Sequence, residues 1–94
     1  MHAVVFTNEK SELIFEKWEA IKLEVKNSME ITSLSYSTWI QPLKIAEVKE
    51  NVVRIWCEIS GAQEYIETKY KKPLEAAMKK IVGEVYQVEI LDKL

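Results

Sequence analysis

The sequence predicts an α+β domain with two layers, a three-stranded sheet with helices packed on it, in the order α-α-β-β-α-β. Three observations lead there. Apolar residues recur at helical spacing through two long stretches near the start and after the middle of the chain. Between and after them lie short β-branched and aromatic runs with two-residue alternation. The few breakers, two Gly and two Pro in 94 residues, fall near the joints between these patterns or inside the last long helical stretch. That length holds one domain, read here as residues 9–94, with residues 1–8 as an extension expected to be mobile.

The elements follow in order. Asn8 before Glu9 has the form of a helix start, a capping side chain and then an acid at the positive end of the dipole. From there Ile14, Trp18, Ile21, Val25 and Met29 form one amphipathic stripe. Leu13, Phe15 and Leu23 lie off it, so this helix is either buried unusually deeply or shows a second apolar face to a partner. Ser33 or Ser35 caps a short second helix carrying Tyr36, Trp39 and Ile40, which stops before Pro42. Leu43 to Glu47 is expected as a strand, Glu50-Asn51 as a turn, and Val52 to Cys57 as the second arm of a hairpin. Ser60-Gly61-Ala62-Gln63 fits a capping box for a third helix, whose stripe is Ile66, Tyr70, Leu74, Ala77 and Ile81. Pro73 inside that stripe predicts a kink or two abutting pieces. After Gly83, Val85 to Leu91 alternates as a last strand running parallel to the second. Pairing with the second strand or with the first is left open by the pattern.

Composition narrows the function. Thirteen basic against 15 acidic residues give a net charge of −2, the wrong balance for a tight grip on phosphate backbones, which draws its affinity from released counterions. The lone Cys57 can form no internal disulfide and has the pattern of a packed strand residue. No apolar run spans a bilayer, and MHAVVF is too short for a signal peptide and lacks a basic leader. A reducing cytoplasm is the expected location, with no membrane partner. The single histidine, His2, has no neighbouring acid or nucleophile, and Glu75 with Lys79 makes a solvated ion pair rather than an acid/base couple. No glycine loop for phosphate is present. No enzyme, no cofactor and no metal are expected. On the third helix Tyr65, Lys69, Lys72 and Lys79 share one side, an arrangement that could hold a base and phosphates weakly; the alternative is a domain edge kept wet by lysines. Trp39 and Tyr70 are assigned to the core.

Tyr36-Ser-Thr-Trp39-Ile40-Gln-Pro42-Leu43 resembles the signature closing the second helix in N-terminal domains of the bacterial replication initiator DnaA. Asn51-Val-Val-Arg-Ile-Trp56 and Tyr65-Ile66-Glu-Thr-Lys69-Tyr70 follow at the family's distances, and the resemblance covers roughly residues 16 to 91. It implies a KH-like fold and a domain without chemistry that self-associates weakly. It further implies contacts with the replicative helicase, with DnaA itself or with regulators, and at most weak single-stranded DNA binding. Self-association in the family centres on a Trp early in the first helix, which places Trp18, with Leu13, Phe15 and Leu23, in the expected contact patch. Two extra residues between the helices also leave a core role open for Trp18. An acid four residues before the motif Trp and an aromatic opening the third helix serve helicase contact in the family; Ser35 and Gly61 stand there in this chain. The long opening before the first helix points to a stand-alone domain.

Overall fold

A computed structural model describes residues 9–92, with side chains from Ser11 onward. The expected extension over residues 1–8, His2 within it, and residues 93–94 lie outside the described residues. The chain opens with α1 (Glu9–Glu16) and α2 (Trp18–Met29). These are the single first helix of the sequence pattern, interrupted at Lys17, whose φ of −100° and ψ of 12° leave the helical range. The ladder bridges the interruption, with Lys17 N–H donating to Leu13 O and Ile21 N–H to Lys17 O, each at 2.8 Å. Because register is kept, Ile14, Trp18, Ile21 and Val25 all reach the core. α2 ends in a Schellman motif: Ile31 N–H reaches Lys26 O and Glu30 N–H reaches Asn27 O, with Glu30 in the left-handed region.

The second helix is a short α turn, α3 (Ser33–Ser35), running on into a π-helical turn over Tyr36–Ile40. Its cap is neither Ser33 nor Ser35 but Thr32, whose Oγ1 accepts from Ser35 N–H at 3.1 Å. The strands are β1 (Lys44–Lys49), β2 (Val52–Cys57) and β3 (Gln87–Asp92). β1 starts one residue later than the pattern suggested and continues two further, because Val48 also faces the core. The sheet order is β1-β2-β3, with β1 antiparallel and β3 parallel to the central β2. The pairing left open is thereby decided: the last strand joins the second. A bulge sits between Ile45 and Glu47.

α4 (Gln63–Val82) returns the chain between β2 and β3. The expected capping box does not form. Gly61 stands at φ +83°, outside the right-handed helix, so the helix begins later with Ala62 as its cap and no side-chain cap bond. Gln63 instead donates through Nε2 to Ile90 O at 2.8 Å, and Glu75 accepts from Val88 N–H at 2.9 Å. These two α4 side chains engage backbone groups of β3, an edge strand. Pro73 does not divide α4 into two pieces; the helix runs through it to a left-handed Gly83 cap. One face of the sheet, with Val53, Ile55, Cys57, Val88 and Ile90, meets the buried stripes of α1, α2 and α4.

Candidate protein-contact surface

The four residues expected in the contact patch do not stay together. Phe15 and Leu23 are 41% and 49% exposed, whereas Trp18 is 8% exposed, and Leu13 is partly buried against the core. Trp18 belongs by angle to the stripe of Ile14, Ile21 and Val25, and burial of an indole is affordable only when its N–H finds an acceptor. It does: Trp18 Nε1 donates to Leu43 O at 3.0 Å. Of the two roles left open for Trp18, contact or core, its burial and its bond to Leu43 support the core. Beside it the Lys22 side chain is buried, donating through Nζ to Gln41 O at 2.9 Å, 3.2 Å from Glu19 Oε2 and 5.5 Å from the Trp18 ring centre. Nothing in the sequence pattern marked Lys22 for burial, since its partner is a backbone carbonyl 19 residues away. Phe15, Trp18, Leu43 and Ile45, with Glu19, Lys22, Gln41 and Lys44, line a hollow of about 260 Å3. Phe15 thus presents apolar surface at a concave site with polar lining, and the exposed Leu23 adds apolar surface elsewhere on α2.

The second expected cluster is also redistributed. Tyr65 and Lys69 come together, with Lys69 Nζ donating to the Tyr65 hydroxyl at 3.1 Å. Lys72 lies 3.9 Å from Glu75 instead, and Lys79 sits ten residues beyond Lys69, about 15 Å along the helix. Trp39, expected in the core, is only partly buried and packs against the core's edge. Its ring lies 4.8 Å from that of Tyr65, tilted by 51°. The short π turn carries it over the start of α4 rather than into the space between α2 and the sheet. Tyr70 is fully buried as expected. Burial pushes its phenol above the ordinary 10.0, with Lys69 opposing and Tyr65 reinforcing the shift. The Lys69 ammonium is likewise raised, first by its bond to Tyr65. Leu34, which the sequence pattern did not single out, stands 78% exposed in α3.

On the sheet face opposite the helices, Arg54 reaches across all three strands, with Nη1 2.6 Å from Glu47 and Nε 2.9 Å from Glu89. Both carboxylates hold the guanidinium charged, the bond to Glu47 foremost. Cys57 is buried and donates its thiol to Ile59 O at 3.2 Å. Among the described residues no cluster of three or more His, Cys, Asp or Glu could hold a metal ion, and no helix is long and apolar enough to cross a membrane.

Comparison with known proteins identifies the family of the chain. The profile of the DnaA N-terminal domain matches residues 16–80, more than half of the chain. The chain belongs to the DnaA N-terminal domain family. It is 32% identical over 83 residues to the chromosomal replication initiator protein DnaA of Lachnoclostridium phytofermentans, covering 84% of this chain and 18% of that protein. The DnaA of Leptospira biflexa is 32% identical over 75 residues, 80% of this chain and 17% of the relative. The chain thus spans less than a fifth of the length of these relatives. α1 precedes the matched region almost entirely, so Phe15, on one wall of the hollow, lies just outside the family match while Trp18 and Leu43 lie inside it.

Proposed function

We propose that this chain is a non-catalytic protein-contact module of replication initiation or its regulation, acting in the cytoplasm. Its partners are DnaA, the replicative helicase or a regulator of either, and it self-associates weakly through the same surface. One observation carries the reading: Phe15 and Leu23 are left about half exposed on the N-terminal helical segments, and Phe15 lines a hollow together with Trp18 and Leu43. Covering the exposed halves of these two side chains gains on the order of 2–3 kcal/mol. Part of that gain is offset by the entropy of association, so the contact is weak and reversible. Single-stranded DNA is a poorer fit, because of the four residues expected to hold it only Tyr65 and Lys69 converge.

The test is a titration of the isotope-labelled chain with full-length DnaA and, separately, with the replicative helicase of the same cell, followed by amide chemical shifts. Shift changes centred on Phe15, Lys22, Leu23 and Leu43 are the expected result. Saturating amounts of both proteins without any shift would overturn the proposal.

A further inference from the structure

The aromatic corner where the π turn meets α4 holds a cation without an acid. Lys71, Lys72 and Lys80 on the same helix each lie within ion-pair distance of a carboxylate, Glu75 or Glu24. Lys69 pairs with no carboxylate among the described residues. Its ammonium rests instead 5.4 Å and 5.7 Å from the ring centres of Tyr65 and Tyr70, bonded to the Tyr65 hydroxyl. Below it the buried Tyr70 hydroxyl makes no well-formed hydrogen bond, although the Tyr65 hydroxyl lies close enough to act on its proton. An unmet buried donor costs about 1–3 kcal/mol, which an acceptor brought by a ligand would recover. Trp39 flanks Tyr65, and Tyr70 meets Tyr65 edge-on at 6.3 Å, so three rings border an ammonium that is open to a partner, and a bond from it to an anion is charge-assisted. We infer that Lys69, Tyr65 and Tyr70, walled by Trp39, form a hydrogen-bond donor site for a carboxylate carried on an apolar segment of a protein partner.

Lys69 is exposed and long, so its ammonium can swing off the Tyr65 hydroxyl and open both phenols to the incoming oxygens. A partner's apolar side chain beside the acid would cover Trp39 and the exposed ring of Tyr65. A nucleic-acid strand offers anions too, but in rows. Glu64 and Glu67 flank Tyr65 on the same turn of α4, and Lys72 is already next to Glu75. One carboxylate is accommodated in such surroundings, whereas successive phosphates meet like charge. The inference rests on reading the chain as a protein-contact module and adds a second anchor, distinct from Phe15 and Leu23.

The experiment is selection of binders to the full chain from a displayed library of random peptides. Affinities of the synthesised winners are then measured for wild type, Lys69→Gln, Tyr70→Phe and Phe15→Ser/Leu23→Ser, with a thymidine oligonucleotide as the nucleic-acid arm. Winners should carry Asp or Glu next to an apolar residue. Lys69→Gln and Tyr70→Phe should each weaken them about tenfold or more with the circular dichroism spectrum unchanged, and the double variant should leave these peptides bound. Winners without an acid, acidic winners indifferent to both variants, or no winners at all would overturn the inference. So would an oligonucleotide bound more tightly than any peptide and released by Lys69→Gln. Winners that depend on Phe15 and Leu23 alone would sink this site while leaving the proposed function standing.

Discussion

Trp18 and Trp39 sit on helices that cover the same core, and the structure treats them oppositely. Trp18 lies inside the repeating stripe of a long helical segment, so its whole indole is carried inward and its N–H meets Leu43 O. Trp39 lies on five residues of π turn, too short to hold it in a stripe, and it settles at the rim against Tyr65. The family resemblance puts Trp18 in a contact patch, with a core role left open, and the place of Trp39 on the short helix assigns it to the core. Burial follows the helical register and the availability of an acceptor, and the identity of the residue alone does not decide it. What the register leaves outside, Phe15 and Leu23 together with the Trp39–Tyr65 corner, is the surface to which the proposed contacts with other proteins are assigned.

The sharpest way to break this comparison is Trp18→Ala. Removing a buried indole and leaving the Leu43 carbonyl without its donor should cost about 3–5 kcal/mol, read by chemical denaturation. A loss below about 1 kcal/mol would return Trp18 to the surface. Trp39→Ala should cost less, about 1–3 kcal/mol, because only part of the ring is buried and the stacking on Tyr65 adds a modest term. Equal losses at the two positions would erase the distinction.

The elements and their order were legible because each rests on local periodicity: the Ile14–Trp18–Ile21–Val25 stripe, the alternation of Tyr86, Val88 and Ile90, the Gly83 stop. What depended on distant partners was not. Gln63 looked like the reciprocal half of a capping box, yet it bonds Ile90 O, an acceptor 27 residues away. Pro73 looked like a breaker, but α4 continues through it, held by its buried stripe of Ile66, Tyr70, Leu74 and Ala77. The candidate site was half legible. Phe15 and Leu23 showed themselves as apolar residues off the stripe, whereas Trp18 satisfied both patterns and only the Leu43 carbonyl decided between them. Lys72 and Lys79 shared a wheel sector with Lys69 without sharing its neighbourhood, since a wheel discards distance along the axis. No local signal announced Lys22 beneath the hollow or Leu34 outside the core.

A smaller effect, confined to the alkaline range, separates the two regions further. Burial raises the phenols of Tyr36, Tyr70 and Tyr86 above 10.0. Above pH 10 the unfolded chain therefore releases these protons while the folded chain retains them, and stability falls as pH rises. Below that range the three groups contribute no pH dependence. Tyr70→Phe should flatten part of the alkaline slope in denaturation midpoints. A slope unchanged by the substitution would contradict the burial of that phenol.

The smallest expected change in stability accompanies the largest expected change in contact. Phe15→Ser/Leu23→Ser removes only half-exposed surface and should move the folding free energy by about 0.5 kcal/mol or less. Trp18→Phe keeps a ring in the core and loses one hydrogen bond, about 1 kcal/mol. Titrating both variants and the wild type with full-length DnaA from the same cell, under one set of conditions, tests the account most directly. It predicts that Trp18→Phe binds like wild type although it is the less stable protein, and that the double variant keeps its melting temperature and loses binding at least about tenfold. Loss of binding in Trp18→Phe, with the double variant binding normally, would contradict it.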